Sequence, residues 1–146
     1  MPGLILKLGP SERVMVNGVV LENGPRRSRI NILTPDANVL RLRDAIHPEE
    51  ARTPVRRVCY VAQLVLAGEA DPAEARRQLL LGIEQLSQVF DDPDSRARLA
   101  EATSHLRDER WYQTLKALRA MLPREERLFA AAEAARAARP GAEPQP

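Results

Sequence analysis

The hydrophobic period of this chain changes at about residue 53, and that switch limits its possible folds more than any other feature. Upstream, apolar residues recur every second position, the signature of half-buried strands. Leu4-Ile5-Leu6-Lys7-Leu8 predicts a first strand closed by Gly9-Pro10, and Arg13-Val14-Met15-Val16 a second. Asn17-Gly18 is a strong hairpin signal and leads straight into Val19-Val20-Leu21. After the turn at Asn23-Gly24-Pro25 come two arginine-lined strands. Ile30, Ile32, Leu40 and Leu42 fall on one face, and Arg29, Arg41 and Arg43 on the other. Five short strands in so little chain read as a meander that closes into a small barrel or a sandwich.

Downstream the spacing is helical. Thr53-Pro54 supplies an N-cap with proline at the first helical position, followed by Val55, Val58, Cys59, Ala62, Val65 and Leu66. Asp71-Pro72 repeats the signal ahead of Ala75, Leu79, Ile83, Leu86 and Phe90. A third helix starts at Asp92-Pro93 or Asp94, and a fourth runs from about Arg110 through Leu122, with Pro123 interrupting it or starting another. Strands first and helices second predict an α+β fold rather than alternating βαβ units. The expected organisation is a small basic antiparallel β module (1–50), a bundle of about four helices (53–128), and an Ala/Pro-rich tail (129–146) expected to be disordered.

With aromatic residues at only 3% of 146, the core must be aliphatic. The single cysteine, Cys59, excludes an internal disulfide and sits in an apolar helical run, as a small buried hydrophobe does. His47 and His105 follow no metal-ligand spacing, the glycines form no phosphate loop, and no serine lies in a nucleophile elbow. Neither catalysis nor a cofactor is expected. No charged leader followed by an apolar stretch opens the sequence, and no apolar run reaches ~18 residues, so a cytoplasmic protein without a membrane span is expected.

What remains is binding. Arg41 and Arg43 lie two apart on a predicted strand, so their side chains leave one face about 7 Å apart. Arg27 and Arg29 repeat the spacing one strand earlier. Placed side by side, the two pairs make a basic patch able to grip phosphates and stack on unpaired bases. For any single arginine an ordinary solvated face is the plainer reading. The predicted strands hold no aromatic residue, so base stacking on aromatic side chains is not expected. Trp111 and Tyr112, the only adjacent aromatics, read as core anchors at a helix start.

From residue 4 to about 128 the chain resembles the flagellar biosynthesis repressor FlbT family of alphaproteobacteria. The resemblance is carried by Asn23-Gly24 with Arg27-x-Arg29, by Val39-Leu40-Arg41 with Asp44 and Ile46, and by Pro48-Glu49 and Thr53-Pro54 with Arg57. Tyr112-x-x-Leu115-Lys116-Ala117-Leu118 completes it. It implies post-transcriptional control of flagellin synthesis through the leader region of flagellin messenger RNA, with the regulator FlaF as a functional partner.

The N-terminal third is also similar to the small RNA-binding regulator CsrA, through Leu4-Ile5-Leu6, Glu12-x-Val14-Met15-Val16 and the run from Arg29-Ile30 to Arg43-Asp44-x-Ile46. That family holds RNA with backbone and arginine groups on its first and last strands, and Arg43 aligns with the last-strand arginine. Its first-strand arginine pair is replaced here by Leu8 and Gly9, leaving Lys7 as the basic residue. CsrA is an interlocked dimer, which makes a homodimer possible for this chain; its own helices covering the strand edges is the alternative. The RNA-binding residues implied are thus Arg43, Arg41, Arg29, Arg27 and Lys7. The competing expectation is an adaptor whose helices dock flagellin or FlaF.

Overall fold

The computed structural model describes residues 3–138. Five strands come first: β1 (Leu4–Leu8), β2 (Arg13–Val16), β3 (Val19–Glu22), β4 (Ser28–Ile32) and β5 (Val39–Arg41). Two short 3₁₀ turns, Leu42–Asp44 and Pro48–Glu50, lead to the helices α1 (Pro54–Leu66), α2 (Pro72–Val89), α3 (Pro93–Arg107), α4 (Trp111–Arg119) and α5 (Leu122–Ala137). The class is α+β, as the change of period predicts. Among the described residues there are five α-helices where about four are expected, because Pro123 stands in the first turn of α5, where its missing N–H breaks no hydrogen bond.

The strands do not form one meander. β1 pairs antiparallel with β4, while a second sheet has the order β3-β2-β5. The arginine-lined strands β4 and β5 are therefore in different sheets, not side by side as the sequence led us to expect. The cause is burial. Leu6 and Leu8 from one sheet and Val14 and Val39 from the other close a small shared core, which pairs strands distant in sequence. The β2–β3 hairpin turns through Asn17 and Gly18 at φ of 48° and 83°, the left-handed region such a turn requires.

Helices α1, α2 and α3 begin as their sequences dictate. Thr53, Asp71 and Asp92 each accept a hydrogen bond from the backbone N–H three residues on. Their apolar stripes converge with α4 on a core in which Leu79, Leu106, Leu118 and Met121 are fully buried. Trp111 belongs to this core, while Tyr112 packs against the β core. Leu40 of β5 is buried among the helices, so the two halves interlock. Gln63 on α1 seals the joint: its side chain accepts from the Ile46 N–H (2.7 Å) and donates to the Ile46 carbonyl (3.0 Å).

The expected disorder from residue 129 needs correction. Helix α5 continues to Ala137 although every residue from 126 to 138 is exposed. Alanine, the strongest helix former, sustains it without tertiary burial. The rest of that tail, 139–146, lies outside the described residues. Among the described residues no helix is long and apolar enough to cross a membrane.

Candidate nucleic-acid interface

The antiparallel register of β1 and β4 sets Lys7 opposite Arg29. Arg27 lies just before β4, on a loop that Asn23 pins to the end of β1. The Asn23 side chain donates to the carbonyls of Gly9 (2.7 Å) and Arg26 (2.9 Å) and accepts from the Ser28 hydroxyl (2.6 Å). Across from them, Arg43 reaches over from the 3₁₀ turn. Lys7, Arg27, Arg29 and Arg43 line one shallow cleft of about 510 Å³, floored by Leu8, Gly9 and Ser28. The first three are exposed and form no ion pair among the described residues.

Arg41 is the exception among the expected site residues. The strand ends at Arg41 and the chain winds into the 3₁₀ turn, so Arg41 and Arg43 do not share a strand face. Arg41 turns inward instead. Its Nε donates to Glu12 Oε2 (2.7 Å), and its Nη2 to Glu12 Oε1 (2.8 Å) and to the Lys7 carbonyl (2.5 Å). The pair is nearly withdrawn from water, with side chains 13% and 6% exposed. The Gly9 N–H adds a further bond to Glu12 (3.0 Å). The hydrogen bonds from Arg41, aided by that N–H and opposed by burial, pull the Glu12 carboxyl down to about 2. Arg41 is thus a strut between β5, β1 and the β1–β2 turn.

Arg43 keeps a side chain 59% exposed, with Nε 3.6 Å from Glu12 and 3.9 Å from Asp44. Its turn is clamped from behind by α4, where Arg119 donates to the Asp44 carbonyl (2.8 Å) and lies 3.5 Å from the Asp44 carboxylate. The helical half therefore anchors the turn that carries Arg43. Four cations around one cleft, one of them close to a buried carboxylate, make a positively charged recess complementary to anionic oxygens.

Sequence reasoning missed the supporting residues Glu12, Asn23, Gln63 and Arg119. Asn23 announces itself only as a turn residue. Glu12 and Arg119 carry no local signal, because their partners lie far along the chain.

The family model described as flagellar protein FlbT matches residues 4–129. Among curated relatives, a protein of Rhodopseudomonas palustris (strain TIE-1) is 30% identical over 127 residues, covering 86% of this chain and 97% of its own length. One from Caulobacter sp. (strain K31) is 28% identical over 123 residues, covering 84% and 93%. Another from Allorhizobium ampelinum is 28% identical over 126 residues, covering 86% and 83%. Each is named a probable flagellum biosynthesis repressor protein FlbT. No solved structure matches the chain. With the family model spanning nearly all of the chain, both its β module and its helices, the protein belongs to the FlbT family of flagellar proteins.

Proposed function

We propose that this protein is a non-enzymatic, cytoplasmic regulator of flagellin synthesis that binds the leader region of flagellin messenger RNA and limits its translation or stability. The observation that carries the reading is the convergence of Lys7, Arg27, Arg29 and Arg43 on one cleft. Their spacing suits the phosphates and unpaired bases of a single-stranded segment, and the planar guanidinium groups serve both contacts. Occluding a ribosome-binding site needs affinity and position and no chemical step. The relatives' names point to a repressor in the same process.

The test is a titration of the full chain against labelled flagellin leader RNA at two salt concentrations, with unrelated RNA as competitor. Specific binding that weakens steeply with salt supports the proposal, because each phosphate neutralised releases counterions. An absence of binding at micromolar protein overturns it and moves the function to protein contacts such as flagellin or FlaF.

A further inference from the structure

A second recess opens on the opposite kind of surface. Helices α1, α2 and α5 border an apolar cleft of about 470 Å³ whose walls include Val58, Val61, Leu86 and Phe90. Leu81, Val89, Leu128 and Phe129 line it and remain 42–57% exposed. Four large apolar side chains around one recess exceed the scattered exposure normal on a monomer's surface. Residues 139–146 contain no Leu, Ile, Val or Phe and so do not suit it.

Helix α5 carries an apolar surface that matches the cleft. From Leu128 to Ala137 all its residues are exposed, and only Glu133 and Arg136 are charged. The rest are Leu, Phe and Ala, and the small alanines let another helix approach closely. Leu128, Phe129 and Ala132 fall on the face that Glu125 buries against the bundle one turn earlier, as the helical period requires. This apolar stripe therefore continues past the end of its own support.

We propose that the cleft is the interface of a homodimer, in which α5 of a second copy lies antiparallel across it. An antiparallel crossing at Phe129 sets Glu133 of the second copy opposite Glu125, about 6 Å along the helix axis from the crossing. Arg57 lines that end of the cleft. Its guanidinium donates to the Arg52 carbonyl (3.1 Å) and makes no ion pair among the described residues. Glu133 likewise has none, and Glu125 is already committed to the Thr53 hydroxyl (2.5 Å) and the Val55 N–H (2.9 Å). Arg57 and Glu133 thus complement each other between copies. Two-fold symmetry repeats every contact, so each copy gives one helix and one cleft. This inference is independent of RNA binding.

Sedimentation equilibrium of the full chain tests it, over concentrations from nanomolar to tens of micromolar. The expected species is a dimer. Phe129→Glu should dissociate it while far-UV circular dichroism stays unchanged. Arg57→Glu and Glu133→Arg should each weaken the dimer by about tenfold, and the double reversal should recover most of that loss. A monomer at every concentration overturns the proposal and leaves the cleft to a helix of another protein. A dimer indifferent to Phe129→Glu overturns it too, placing the interface elsewhere, for example on the strand edges. Single charge reversals without effect, or a double reversal without recovery, reject the antiparallel seating.

Discussion

Arg41 holds Glu12 with two nitrogens, Nε at 2.7 Å and Nη2 at 2.8 Å, in a joint that ties β5 to the β1–β2 turn. The same guanidinium reaches the Lys7 carbonyl on β1. A residue that the sequence presents as a surface cation therefore works as a fastener, while Arg43, two positions on, keeps its charge available.

The two arginines should then fail in different ways. Arg41→Ala strands the Glu12 carboxylate in a largely dry site and should cost about 2–4 kcal/mol, read as a lower urea midpoint. Arg43→Ala should leave the unfolding free energy within about 0.5 kcal/mol of the parent, since it removes an exposed side chain with distant partners. In leader-RNA titrations the order reverses at temperatures where both variants are folded. Arg43→Ala should weaken binding and lower the salt slope by about one. Equal stability of the two variants would remove the strut role from Arg41.

The Glu12 carboxyl also predicts acid sensitivity. Its folded-state value is depressed to about 2 from an ordinary 4.5. A depressed acid stabilises the fold fully above its unfolded value, and the contribution fades as pH falls toward the folded one. The window is about pH 4.5 to 2, and the full contribution is on the order of 3 kcal/mol. Unfolding free energy measured across that window should fall more steeply for the parent than for Glu12→Gln, which starts lower at pH 7 and lacks this titration. Parallel curves for the two proteins would show that the coupling is absent.

Much of this architecture is legible in the sequence, and the limits have physical causes. Periodicity and turn chemistry locate β1 and β2 to the residue, and Thr53-Pro54, Asp71-Pro72 and Asp92-Pro93 mark three helix starts, because each signal is local. The pairing β1–β4 and β2–β5 is not local; it follows from burying Leu6, Leu8, Val14 and Val39 together. At the candidate site, Lys7, Arg27, Arg29 and Arg43 do share a cleft. The alternation that put Arg41 beside Arg43 fails where the backbone leaves the strand at Leu42. No local pattern announces that Glu12 is waiting for Arg41.

Cys59 offers a probe of opening. It is fully buried on α1, and burial pushes its thiol up to about 12. At pH 8 the native thiol is therefore protonated and shielded, and only opened molecules present a thiolate to an external disulfide. Modification by a chromogenic aromatic disulfide should be slow in buffer and accelerate with urea in step with unfolding. Arg41→Ala should react faster than the parent at the same urea concentration. Rapid labelling of the folded parent would show that α1 opens without global unfolding.

Gly82 sets how closely α1 and α2 approach. A Cβ built there would lie 2.6 Å from the Val58 Cγ1, a distance carbon atoms do not tolerate. Exchanging glycine for alanine inside a helix ordinarily stabilises by roughly 0.5–1 kcal/mol. Here the facing atom belongs to a β-branched side chain with one strongly preferred rotamer in a helix, so it cannot swing aside cheaply. Overpacking costs typically 1–3 kcal/mol, and the clash should outweigh the propensity gain. Gly82→Ala is therefore expected to destabilise by about 1 kcal/mol. Val58→Ala alone should also destabilise, by about 1–3 kcal/mol, through the space it opens in the α1–α2 contact. The double variant places the new methyl into that space, so its loss should fall short of the sum by about 1 kcal/mol or more. Urea unfolding of the four proteins closes the cycle. A neutral or stabilising Gly82→Ala, or strictly additive losses, would mean that the helices have room to separate and that Val58 does not set their spacing.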